Sequence, residues 1–261
     1  MSDRVRLPVF AVALTGLLGL VLWGFAGLPD FGDYAGPYGY ILNRVAVPER
    51  STTDVVTAVN FDYRGFDTLG EEFILFAAVV GVASILRKLR GERTRPPDDD
   101  AAGRRAPLTS LTVRVAGLGL VAPTILVGIY IVGHGQLTPG GGFQGGVILA
   151  TALLLIYLSA DYMTMRAVGP LGVIELAEGL GGAGFALIGL SGLVAGGAFF
   201  QNWLGKGTVG DLMSAGTIPL SNAAVGLAVT GGFVFMLSEF LQQTLTRRRD
   251  HRRRRRARRS R

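Results

Sequence analysis

Cysteine is missing altogether from these 261 residues. Its absence excludes disulfides, a cysteine-ligated iron–sulfur cluster and a thiolate zinc site within the chain. Histidine is nearly absent too. There are two, His134 and His251, the second inside an arginine-rich tail, so bis-histidine haem ligation within the chain is also excluded. Charged residues are only 17% of the total and are kept out of long apolar runs. The sequence holds no nucleophile–base constellation, phosphate loop or metal-ligand cluster. No cofactor or metal is therefore expected, and the chain does not read as an enzyme.

Apolar residues and glycine fill the space. The former make up 49% of the chain, and glycine accounts for 39 residues. Six apolar runs are each near the roughly 20 residues that cross a bilayer: Pro8–Leu28, Leu69–Leu86, Leu111–Val132, Phe143–Ala160, Leu171–Phe200 and Ile218–Leu241. The first follows Arg4 and Arg6 as a signal peptide would. Its core is long for one and no small-x-small cleavage site follows, so an uncleaved helix is expected. The expected fold class is all-α, a polytopic protein of about six transmembrane helices in a multi-pass cell (plasma) membrane setting. Basic residues orient it. With both termini cytoplasmic, twenty-two lysines and arginines lie inside, against Arg44, Arg50, Arg64 and Lys206 outside.

The hydrophilic stretch Arg87–Pro107, with paired prolines and an acidic triplet, suits a cytoplasmic linker. Residues 1–90 then form a two-helix unit, 91–107 the linker, 108–245 a four-helix unit and 246–261 a cytoplasmic tail. The tail carries eleven arginines and one aspartate. Directly after a span, such a run fixes orientation and lies against anionic lipid headgroups, at about 1 kcal/mol per basic residue. Nucleic acid is not expected as a partner.

The most distinctive segment is Gly133–Gly146, GHGQLTPGGGFQGG, which opens the apolar helix Val147–Leu158. Pro139 ends the preceding helix, and Gly140, Gly141 and Gly142 permit backbone shapes closed to other residues. Such backbone beside a spanning helix requires cover from protein or from a water-filled cavity. Phe143 reads as an interfacial or packing anchor, and the glycines, Gly146 among them, serve either close helix approach or a loop whose carbonyls line an ion path. Ser51 followed by Asp54 marks a helix start, and a short amphipathic helix is expected there. Asp62, Arg64 and Asp67 are placed to pair locally and hold the turn at Arg64-Gly65.

Carboxylates in apolar runs are costly unless paired or hydrated, which makes them candidates for ion handling. Glu71 and Glu72 open the second run, and because successive helix residues point about 100° apart, only one can face a given neighbour. Glu71 is taken as the candidate, although headgroups and water at a membrane edge would also satisfy it. Glu175 and Glu178 share a helix face and disfavour double ionisation, or else face the cytoplasm or another subunit. Asp161, at the end of the fourth run, reads as an interfacial carboxylate or as a further ion-path candidate.

The run DVVTAVNFDYRGFDTLGE resembles the C-terminal part of the large A-type polypeptide of multisubunit Mrp-type Na+/H+ antiporters, and the related small membrane subunit of membrane-bound hydrogenases. Asp62, Arg64, Asp67, Thr68, Gly70 and Glu71 carry the match. TPGGGFQGG resembles the signature of the B-type polypeptide (MrpB) of the same antiporters, through Pro139, Gly140, Gly141, Gly142, Phe143 and Gly146. The resemblance implies a membrane subunit that helps assemble a cation (Na+)/H+ antiporter with other membrane subunits, with a role in sodium and proton transport. The alternatives are a membrane-arm subunit of a redox-driven ion pump and a purely structural subunit. Many B-type polypeptides carry a histidine three residues before the signature proline. Here that position is Gln136, and His134 lies two residues earlier, so His134 reads as a hydrogen-bonding turn residue.

Overall fold

The computed structural model describes residues 3–28, 36–86 and 110–259, with side chains over 8–28, 36–86 and 110–241. The expected linker and the side chains of the arginine tail lie outside these residues. All regular structure among the described residues is helical. Six helices are long and apolar enough to cross a membrane: Pro8–Ala26, Gly65–Leu86, Leu111–Gly133, Gly142–Ser159, Leu171–Ala195 and Ile218–Leu241. The chain is a multi-pass membrane protein.

Contacts divide it into two compact units, Met1–Ile41 and Leu42–Arg261. The first is dominated by α1 (Asp3–Ala26), whose described side chains are all exposed. The second opens within α2 (Pro37–Arg50), a helix not expected from the sequence. Pro48 and a mixed composition disguise it. Asp54, and not Ser51, caps the next one, α3 (Val55–Ala58): its carboxylate accepts from the backbone N–H groups of Val56 and Thr57 at 3.0 and 3.4 Å. Ser51 instead takes a left-handed φ of 52°. The single π-helical turn Val59–Tyr63 then leads into α4 (Gly65–Leu86).

The remaining elements are α5 (Leu111–Gly133), α6 (Gly142–Ser159), the short α7 (Tyr162–Val168), α8 (Leu171–Ala195) and α9 (Ile218–Arg259). α9 packs against α4, α5, α6 and α8, which makes it the spine of this unit. Its apolar core joins Phe61, Phe185, Phe200, Ile218, Val225 and Val229. The fifth expected span ends early, at Ala195. Gly197 takes a left-handed φ of 90°, and the chain folds back so that Phe200 N–H donates to the Gly189 carbonyl at 3.0 Å. Phe200 is thereby buried in the core rather than continuing a helix.

Candidate functional site

The glycine signature forms a tightly packed elbow between α5 and α6. Gly140 and Gly141 have φ of 146° and 120°, conformations that L side chains rarely adopt. The Gly142 N–H donates to the buried Asn222 Oδ1 of α9 at 2.9 Å. A Cβ on Gly142 would lie 2.6 Å from the Asn222 carbonyl oxygen, and one on Gly146 2.8 Å from Val229 Cβ. These glycines therefore bring α6 onto α9 at backbone contact, and Phe143 packs against the core beside them. Pro139 is exposed on the loop.

Gln136 is wholly buried in this elbow. Its Nε2 donates to the carbonyls of Leu212 at 2.6 Å and Gly133 at 3.3 Å. Its backbone carbonyl accepts from Thr52 Oγ1 at 2.5 Å and from the Thr53 N–H at 3.1 Å. Gln136 thus ties the segment before α3 to the loop before α9. His134 caps α5, with Nδ1 3.1 Å from the Tyr130 carbonyl and its ring stacked on that tyrosine at 4.1 Å.

Asp62, Arg64 and Asp67 do not form one local group. Arg64 pairs with Asp67 across the start of α4. Asp62 turns away: its nearly buried carboxylate meets Arg50 Nε at 3.3 Å and accepts from Asn202 Nδ2 at 2.8 Å. Asn202 also donates to the Ala215 carbonyl and accepts from the Thr217 N–H, each at 2.9 Å. Arg50 lies 4.6 Å over the ring of Tyr63, whose hydroxyl donates to Glu49 at 2.7 Å. Burial, with help from that bond, pushes the Tyr63 hydroxyl up to about 12, so it remains a donor at physiological pH.

Among the carboxylates, α4 begins at Gly65, so Glu71 and Glu72 sit about 10 Å into the helix rather than at its edge. Within this chain Glu71 is exposed and Glu72 is 7% exposed, so Glu72 is the one that faces the neighbouring helices. Glu72 lines a cavity of about 270 Å³ between α4, α8 and α9, together with Glu178. Glu178 also lines a second cavity, of about 300 Å³, with Glu175 and Ser84. Phe76 borders both. Glu72 Oε1 and Glu178 Oε1 are buried without a hydrogen-bond partner. Space for Glu178 comes from α9, where a Cβ on Gly231 would lie 2.8 Å from the Glu178 Cβ.

Glu175 is exposed in the chain alone. Asp161 has a structural task, accepting from the Thr164 N–H at 2.7 Å to cap α7. Among the described residues no group of three or more His, Asp or Glu is placed to hold a metal ion. Sequence reasoning set Glu72 aside in favour of Glu71 and did not single out Asn202 or Asn222. For Asn222 a signal existed, a lone amide inside the apolar run of α9.

Residues 112–235 match the family described as a domain related to the MnhB subunit of Na+/H+ antiporter, and residues 8–100 match the MbhE family, the E component of MBH. The uncharacterized protein MJ1307 of Methanocaldococcus jannaschii is 31% identical over 222 residues, covering 76% of this chain and 81% of that one. A chain in the structure of the membrane-bound sulfane sulfur reductase, an archaeal respiratory membrane complex, superposes with a TM-score of 0.67 at 33% identity. That superposition covers 92% of this chain and 99% of that one. A chain of the Mrp complex from Dietzia sp. DQ12-45-1b shares the fold, with a TM-score of 0.64 at 24% identity. It aligns with 92% of this chain, which spans only 26% of its length.

Proposed function

Since the chain belongs to the family of MnhB-related membrane subunits, preceded by a segment of the MbhE type, we propose that it is a membrane subunit of a multisubunit cation (Na+)/H+ antiporter. It joins other membrane subunits in a plasma-membrane complex and carries out no chemical transformation itself. The observation that carries this reading is the combination of the two segments on one chain: Gln136 and Asn202, in the MnhB-like part, bond to Thr52 and Asp62 in the MbhE-like part. A pre-joined corner of this kind is what an assembly subunit supplies. Both termini lie in the cytoplasm, and the arginine tail rests on anionic headgroups.

Open glycine surfaces on α4 and α8 support an obligate partner: nothing lies within 4 Å of an added Cβ at Gly70, Gly179 or Gly182, and small residues are what lets helices approach closely in lipid. Mild detergent extraction should recover the chain with large antiporter-like membrane subunits, and everted vesicles holding the assembly should show cation-dependent ΔpH. Recovery solely as a monomer that exchanges ions in liposomes would refute an assembly role. A second reading has its own support, the near end-to-end match to a chain of a respiratory complex. Under it, the purified assembly would contain iron–sulfur subunits detectable by electron paramagnetic resonance.

A further inference from the structure

We propose that Glu72 and Glu178 form an interhelical pair that holds a single shared proton, standing between two membrane-level cavities. Glu72 is 7% exposed and its Oε1 has no partner, yet it lines the apolar cavity of about 270 Å³. Glu178 faces the same pocket from α8, again with an unpartnered Oε1. Glu72 is buried and Glu178 half-buried, each with one oxygen that no donor meets, and such a pair is not sustained as a double anion, since each uncompensated charge is disfavoured there.

Neutralisation must come from a cation or a proton, and the surroundings decide which. No lysine, arginine or histidine occurs in Gly65–Leu86, Leu171–Ala195 or Ile218–Leu241. Within these three spans the other titratable groups are Asp67, already paired with Arg64, the exposed Glu71 and Glu175, and Glu239 about two turns beyond Gly232 on α9. The rest of the pocket wall is leucine, phenylalanine, alanine and glycine, with helical backbone whose carbonyls are spent within the helices. Such a wall offers a metal ion too few oxygens but suits a proton, which needs only the two carboxylates. One proton then serves the two carboxylates that line this cavity, leaving one negative charge between them.

Glu178 also opens onto the second cavity beside Glu175. A proton on the pair is therefore reachable from two sides of Phe76, and a relay from Glu72 through Glu178 to Glu175 runs along the α4–α8 seam. Occupancy of the pair is independent of which assembly the chain serves. Only the further use of the proton rests on the antiporter reading.

The test is carbodiimide labelling of the purified complex, read by peptide mapping. Dicyclohexylcarbodiimide is apolar, enters from lipid and requires a protonated carboxyl. The acid proton goes to a carbodiimide nitrogen while a carboxyl oxygen adds to the central carbon, with nothing released. Label is expected on Glu72 or Glu178, never both on one chain, and falls as pH rises. Glu72→Gln should lower labelling at Glu178 roughly tenfold, because the neighbouring anion that retains its proton is gone. Absence of label from both residues in the wild-type complex would overturn the pair, as would simultaneous label on both. Protection by sodium at constant pH would overturn it too, showing a resident metal ion. The wild-type outcomes require no variant to fold, and loss of antiport alone would bear on the proposed function and not on this pair.

Discussion

Gly142→Ala adds one methyl group where the structure leaves no room for it. Its Cβ would stand 2.6 Å from the Asn222 carbonyl oxygen, 2.7 Å from Val225 Cβ and 2.9 Å from the Gly226 nitrogen. Carbon contacts settle near roughly 3.5–4.0 Å, so the overlap is about 1 Å. Two of the three atoms are backbone of α9 and cannot rotate aside. Relief requires α6 and α9 to separate, at the overpacking cost of about 1–3 kcal/mol. Separation also stretches the bond from the Gly142 N–H to Asn222 Oδ1, worth about 0.5–1.5 kcal/mol. Alanine returns up to about 1 kcal/mol of helix propensity, less at a first-turn position. The net expectation is a loss of about 1–3 kcal/mol. Gly172→Ala is the matched control, since nothing lies within 4 Å of its Cβ in the first turn of α8. Thermal unfolding of the detergent-solubilised complex, with assembly followed on native gels, should rank Gly142→Ala below wild type and Gly172→Ala at or above it. Wild-type stability in Gly142→Ala would refute the claim that the signature glycines set the α6–α9 approach.

Reporter fusions after Arg90, Arg166 and Arg247 should report cytoplasm and those at Gly141 and Lys206 the outside; a cytoplasmic reporter at Gly141 would overturn the orientation. Asp62→Ala removes one acceptor from both Arg50 and Asn202, and should cost about 1–3 kcal/mol in thermal unfolding. Phe66→Ala, at an exposed side chain nearby, should cost less, and equal losses would remove the argument for that network.

The spans were legible because twenty apolar residues in a row admit few alternatives in a chain so poor in charge. Caps at Asp54 and Asp161 follow from side-chain chemistry, although only the first was anticipated as a helix start. The choice between Glu71 and Glu72 was not legible. It depends on rotational phase, set by where α4 begins and by the π-helical turn Val59–Tyr63, and a shift of one residue swaps inside for outside. The Asp62–Asn202 bond spans 140 residues, and no local pattern encodes a contact at that separation. The return of Phe200 was hidden for a different reason: the segment after Ala195 remains apolar, so composition extends a helix that glycine geometry ends.

α9 explains how the glycine elbow and the carboxylate pair belong to one design. At about 100° per residue, Asn222, Val225, Gly226 and Val229 form one stripe, and this stripe receives Gly142 and Gly146 of α6. Ala224, Ala228 and Gly231 lie on a largely opposite stripe. There Ala224 and Ala228 meet Gly181 of α8, and Gly231 admits the backbone and Cβ of Glu178. The elbow therefore fixes one face of the spine while the other holds Glu178 toward α4. A bulky residue at the elbow would displace α9 as a body, and its effect would reach the carboxylates through the position of Gly231 and Gly232. Small residues on both faces are thus required for different reasons: on the α6 side to bring backbones together, and on the α8 side to leave space for an acid inside the membrane.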